Sequence, residues 1–170
     1  MIRTLRPLSW DTRLLKITAL KKMTKNTKKI QIINGPNLNM LGKREPKIYG
    51  SLSLDQINSE LVSLAKFLGL ELDFFQSNHE GAIIDKIHDD FNANIDGIII
   101  NPGALTHTSI AIRDALLLLS CPIIEIHLSN IYKIEAFRHK SLLADIVTGQ
   151  VSGFGSYGYQ MALNAMADMI

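Results

Sequence analysis

One cysteine, Cys121, stands in 170 residues, so an intramolecular disulfide and a multi-cysteine zinc site are both excluded. Alone, it reads as a small packing hydrophobe in a reducing compartment. No apolar run approaches the ~18 residues of a membrane span, which leaves no helical route across a bilayer and no membrane partner. The five histidines show no HisGluxxHis spacing, so no metal is expected. A basic stripe interleaved with aromatics is missing too, and with it the footprint of nucleic-acid binding.

The basic pI of about 8.7 misleads on that last point, because the charge is unevenly spread. Residues 1–27 hold seven Lys or Arg against the single acid Asp11, a net of +6, which leaves eleven bases and fifteen acids, a net of −4, for residues 28–170. The globular part is mildly acidic. The leading segment has basic ends, but its apolar middle is too interrupted for a secretory signal. Met23 followed by ThrLysAsnThrLysLys suggests an internal start. Residues 1–27 are therefore read as a basic N-terminal extension, disordered or a non-native start, and residues 28–170 as a single catalytic α/β domain. A cytoplasmic location is expected.

What is present is a regular alternation of buried strands and amphipathic helices. Ile98 to Ile100 form a continuous apolar run, halted by AsnProGly and followed by a Thr- and Ser-rich stretch carrying His107, which reads as strand, polar turn and helix start. Ile30 to Ile33 read the same way and end in AsnGlyProAsn at 34–37. Residues 38–52 lack any period, as a functional loop or lid does. Ser53 and Gln56 fit a capping box opening a helix with Leu54, Ile57, Leu61, Leu64 and Leu68 on one face and Gly69 as its stop.

Leu70 to Gln76 is expected as strand two. A helix over 82–91 follows, with Ile83, Ile84, Ile87 and Phe91 at helical spacing, then strand three over 97–101 and a helix over 108–119. Strand four is expected at 123–127, a short helix in IleTyrLysIleGluAlaPheArg, strand five at 145–151 and a last helix at 157–169. Five strands alternating with helices predict a flavodoxin-like, doubly wound five-stranded parallel sheet in the order 2-1-3-4-5, with helices on both faces. The switch point then lies between strands one and three, so AsnGlyProAsn and AsnProGlyAla meet at the ligand crevice.

Several side chains near that crevice suit chemistry. Glu125 and His127 are two apart on a strand and point to one face, where a carboxylate raises an imidazole's basicity and orients it as a proton donor. His107, at an expected helix start, would be held neutral by the helix dipole. Tyr49 lies among Lys43, Arg44 and Lys47. A phenol ionises near pH ~10, and each unit by which a cation lowers that value is worth about 1.4 kcal/mol, so a phenolate base is within reach. GlyPheGlySerTyrGly at 153–158 fits GxGxxG, but it follows the last strand and leaves no room for the acidic residue expected ~20 positions on. It is a decoy for dinucleotide binding.

AsnGlyProAsnLeuAsnMetLeuGly, ArgGluProLysIleTyrGly, AsnProGlyAlaLeuThrHisThrSer, GluIleHisLeuSerAsn and GluAlaPheArg stand in one order at compatible spacing. Together they closely resemble the type II 3-dehydroquinate dehydratases, over a stretch from about Ile30 to the C-terminus. The resemblance implies a cofactor-free and metal-free elimination of water from 3-dehydroquinate through an enolate, giving 3-dehydroshikimate in the shikimate pathway of aromatic amino acid biosynthesis.

It further implies Tyr49 as the base, with Arg44 activating it, His127 as the general acid, Glu125 orienting that acid, and Asn37 holding a water at the enolate oxygen. Asn101, His107 and Arg138 match substrate-contacting positions, Leu128 and Ser129 a turn whose amides receive the substrate carboxylate, and Asp114 a residue reaching a neighbouring subunit in trimers that assemble into dodecamers. Pro102, Ile134 and His139 depart from the family's usual residues. The rival class is a flavodoxin-like binding or signalling module that shares only the architecture. A receiver would want Asp where Asn101 stands, and a flavin binder a Ser- and Thr-rich phosphate loop in place of AsnGlyProAsn.

Overall fold

The computed structural model describes residues 27–43 and 52–170; the expectations for the N-terminal extension and for Arg44 and Tyr49 fall outside them. Five parallel strands, β1 (Lys28–Asn34), β2 (Leu70–Gln76), β3 (Gly97–Asn101), β4 (Ile123–His127) and β5 (Gly149–Ser152), form one sheet in the order β2-β1-β3-β4-β5. The α-helices among the described residues are α1 (Leu54–Leu68), α2 (Glu80–Ala93), α3 (Ile110–Leu116) and α4 (Tyr157–Met169). This is the flavodoxin-like topology expected from the alternation.

Side-chain alternation along the central strands divides the core in two. Ile32, Ile99, Ile124 and Ile126 face α1 and α4, where they meet Ile57, Leu61, Ala162, Leu163 and Met166. Ile33, Ile98, Ile100 and Ile123 face α2 and α3, where they meet Ile83, Ile87, Ile112 and Leu116. Each such side chain, wholly buried, contributes about 1.5–3 kcal/mol, and both faces of β3 are covered. Glu125 and His127 fall on the same face as Ile123. Cys121 packs half-buried beside that second cluster, as expected of a free cysteine.

The capping box is present as read: the Ser53 hydroxyl accepts from the Gln56 backbone N–H, the Gln56 side chain accepts from the Ser53 N–H, and Gly69 closes the helix at φ 73°. Four expectations need correction. The segment after β3 is not a helix from 108: residues Gly103–His107 form a 3-10 turn, and α3 starts only at Ile110, where the Ser109 hydroxyl caps it. The stretch 131–138 forms two 3-10 turns, Ile131–Lys133 and Ala136–Arg138, because Ile134 between them is extended. β5 begins at Gly149 rather than 145, since residues 139–147 cross the sheet's α2/α3 side as an irregular strap. On α2, Phe91 is half exposed and Asp90 is buried in its stead.

Candidate active site

The β1 and β3 turns meet as the strand order requires. Gly35 N–H donates to the Asn101 carbonyl at 2.7 Å, and a Cβ at Gly35 would run into the Pro102 carbonyl, so only glycine lets the two turns close up. Asn37 sits at φ 68°, a left-handed conformation that Asn tolerates better than most residues. Its N–H donates to Asn78 Oδ1 at 2.9 Å, while Gln76 Nε2 donates to the Gly35 carbonyl. The turn carrying Asn37 is thereby held from the neighbouring strand.

A cavity of about 200 Å³ opens beyond the carboxyl ends of β1, β3 and β4, the position where doubly wound sheets take ligands. Of the residues singled out from the sequence, Asn37, Asn101, His107, His127, Leu128, Ser129 and Arg138 line it, together with Ile134 among the departures. Glu125 lies behind His127. Asp114 does not reach the cavity; it is exposed on α3, between Ile110 and Leu117, which are also exposed.

Glu125 is wholly buried and His127 nearly so. His127 Nε2 lies 2.7 Å from Glu125 Oε1, so Nε2 carries a proton and donates, leaving Nδ1 to exchange a proton with a ligand. Burial pushes the Glu125 carboxyl up, but donors from His127, Ser141 and Gln150 outweigh it and leave the group below the usual carboxylate range. An ionised carboxylate behind an imidazole stabilises the imidazolium, the form that donates a proton.

The expectation that a helix dipole acts on His107 fails, because that residue closes a 3-10 turn instead of opening a helix. Its Nδ1 donates instead to the Lys140 carbonyl at 2.8 Å, which makes Nε2 the acceptor of the neutral ring. Arg138 Nε lies 3.2 Å from Glu135 Oε2, an ion pair without hydrogen-bond geometry. His139 Nε2 donates to the Ile134 carbonyl at 2.9 Å, which ties the end of the second 3-10 turn back to the extended residue between the two turns.

The turn after β4 is set by the glycine loop that mimics GxGxxG. Gly153 N–H donates to the His127 carbonyl at 3.1 Å and Gly155 N–H to that of Leu128 at 2.9 Å. Gly153 adopts φ 94°, a region costly for any other residue. No acceptor among the described residues takes the Leu128 or Ser129 N–H, so both are open to an anionic ligand.

Three contributors escaped the sequence reading. Tyr159, fully buried on α4, donates its hydroxyl to Asn34 Oδ1 and accepts from Asn101 Nδ2 at 3.2 Å. Burial pushes that phenol far above its ordinary range, with the Asn101 bond opposing, so it stays a donor. Asn101 is fixed from its other end, its Oδ1 accepting from Gly103 N–H. Ser141 and Gln150, which surround Glu125, are the other two; an isolated Ser and Gln carry no signal without the strand register.

The family described as Dehydroquinase class II matches residues 28–167. A 3-dehydroquinate dehydratase of Endomicrobium trichonymphae is 58% identical over 143 residues, covering 84% of this chain and 99% of that one. One from Halothermothrix orenii is 54% identical over 142 residues, covering 84% and 95%. Among solved structures, the type II dehydroquinase of Propionibacterium acnes superposes with a TM-score of 0.81 at 41% identity, covering 84% of this chain and 97% of that one.

Proposed function

The chain belongs to the class II dehydroquinase family, and from that premise we propose that it is a hydro-lyase removing water from 3-dehydroquinate to give 3-dehydroshikimate in the shikimate pathway. The observation that carries the reading is the buried, ionised Glu125 bonded to His127 at the wall of the cavity. Such a pair supplies the acid an elimination needs. A binding or signalling module has no use for it, and the relatives that bear the dehydratase name do not favour that rival.

In the proposed reaction Tyr49, as phenolate stabilised by Arg44, takes the C2 proton. The electron pair passes into the adjacent carbonyl as an enolate, whose oxygen meets a water held by Asn37. The enolate then re-forms the carbonyl and expels the hydroxyl with its bonding pair as His127 protonates it, so that one water leaves and one carbon–carbon double bond remains. A positioned acid and base each contribute roughly 10²- to 10⁴-fold. Asn101, His107 and Arg138 hold the substrate's polar groups, and the open amides of Leu128 and Ser129 receive its carboxylate.

The exposed face formed by α3 and the turn after it, carrying Ile110, Asp114, Leu117 and Leu118, is apolar enough to be covered by another copy. In this reading it packs within a trimer, with Asp114 reaching the neighbour's site, and trimers assemble into a dodecamer in the cytoplasm. No helix among the described residues is long and apolar enough to cross a membrane.

The test is absorbance at the enone band of 3-dehydroshikimate when purified protein meets 3-dehydroquinate, with chelator and with borohydride pretreatment in parallel. A rise that survives both supports the scheme, and Tyr49→Phe should abolish it while leaving the protein folded. Near-wild-type turnover in that variant would remove Tyr49 from its role.

A further inference from the structure

The inference drawn from the carboxylate behind the acid rests on the hydro-lyase reading and deepens it. Glu125 is screened from solvent, so every lone pair that water would have satisfied needs a protein donor. Among the described residues there are two besides His127. Gln150 Nε2 donates to Oε2 at 2.6 Å, and the Ser141 hydroxyl lies 2.8 Å from Oε1 and 3.0 Å from Oε2.

These donors reach the carboxylate by independent routes. Gln150 is the register partner of Glu125 on β5, so the two side chains stand side by side on one face of the sheet. Ser141 belongs to the strap over 139–147, which is tied down at several points. Leu142 N–H donates to the Thr106 carbonyl at 2.9 Å, and Arg113 donates to the Leu142 carbonyl at 2.6 Å while forking onto Asp145. Leu143 N–H donates to Ser141 Oγ at 3.0 Å. With its oxygen already accepting, the hydroxyl's single proton is directed at Glu125.

We propose that Ser141 and Gln150 are positioning residues of the acid: they hold the Glu125 carboxylate with Oε1 aimed at the Nε2–H of His127, and so keep Nδ1 turned to the cavity. Without them Oε2 loses both of its donors among the described residues. The carboxylate would then rotate or take up a proton, and a protonated Glu125 no longer supports an imidazolium.

The other charges near Glu125 among the described residues do not substitute. β3 and β5, which flank β4, carry no ionisable side chain. On the strap, Asp145 is taken by Arg113 and His139 by the Ile134 carbonyl, and Lys140 makes no ion pair among the described residues. His107 and Arg138 line the cavity beside His127 and do not bond Glu125.

The experiment measures kcat, KM and the pH profile of 3-dehydroquinate dehydration for the whole chain and for Ser141→Ala, Gln150→Met and Ser141→Thr. Each of the first two should lower kcat about tenfold with KM moving less than about twofold, the effect of losing one hydrogen bond to a buried charge. The acid limb of kcat should move to higher pH, because the donors that favour the Glu125 anion are gone. Ser141→Thr, which keeps the hydroxyl, should restore most of the rate.

Unchanged kcat in the first two, or a loss of rate with an unmoved acid limb and no rescue by threonine, overturns the proposal. If Ser141→Ala does not fold, Gln150→Met and Ser141→Thr decide. An inactive wild type would sink the hydro-lyase reading instead. The ring nitrogens of His127, read by 15N NMR, would then still test this one: Nε2–H in the wild type and mixed tautomers in Gln150→Met support it, and identical spectra contradict it.

Discussion

Two carboxylates are almost equally buried towards opposite ends of the strands, and their chemistry differs. Glu125, near the carboxyl ends of the strands, is 0% exposed, and Asp90, in the last turns of α2 towards the amino ends, is 2% exposed. Glu125 has donors from His127, Ser141 and Gln150. Asp90 has Lys86 at 2.9 Å, and its Oδ2 finds no partner among the described residues. Burial pushes both carboxyls up. At Asp90 it prevails over Lys86, helped by Asp73 and Asp89, and the group stays high; at Glu125 the donors prevail and it falls. Burial alone therefore does not decide a carboxyl's charge. The supply of donors decides whether an anion is kept there.

The sharpest way to break this contrast is to neutralise each group. Glu125→Gln leaves a side chain of the same shape that no longer stabilises an imidazolium, and kcat should fall by about 10²-fold or more. Asp90→Asn should leave kcat within about twofold of wild type, the variation of a site remote from the cavity. Equal losses in steady-state assays of the two variants would erase the distinction.

Next in size is Tyr159→Phe, which strands the amides of Asn34 and Asn101 in the interior. It should cost about 1–3 kcal/mol of stability in denaturant unfolding, and raise KM more than it lowers kcat because Asn101 loses its anchor. Unaltered stability and KM would mean that this buried hydrogen-bonded trio is not what fixes Asn101.

The pH dependence of stability should have opposite signs at the two carboxylates. Glu125 has a folded-state pKa below its unfolded value, so its contribution is present above about pH 4.3 and is lost as pH falls through the folded value. Asp90 has a raised folded-state pKa, so its contribution is present below about pH 3.9 and is lost as pH rises. The stability of wild type relative to Glu125→Gln should therefore shrink on acidification, and that relative to Asp90→Asn should grow. Same-sign slopes in urea melts from pH 6 to ~3 would contradict the assignment of donors. The smallest effect is expected at Ser53→Ala, which removes a helix cap for about 1 kcal/mol and should leave turnover unchanged.

Much of this was legible in the sequence where a run of apolar residues is bounded by turn formers. β2, β3, β4 and α4 fall at the expected positions, and the capping box and the meeting of the two Asn turns are as read. The errors share a cause. The Thr and Ser around His107 resemble a helix start, but Ser109 is the residue that caps, so the helix is shorter and His107 lies outside it. Asp145 to Val147 look like a strand, yet Arg113, distant in sequence, holds that stretch as a strap. At the site, the strand period alone paired Glu125 with His127. Ser141, Gln150 and Tyr159 were invisible because each acts across 16 to 125 positions, through register and packing that no local pattern encodes.

The most direct test is the rate of enone formation from 3-dehydroquinate, measured side by side for wild type and Glu125→Gln, both shown to be folded. The predicted result is clear turnover by wild type and a rate lower by about 10²-fold or more in the variant. Equal rates would show that the buried carboxylate does not support the acid, and no turnover by folded wild type would contradict the dehydratase assignment itself.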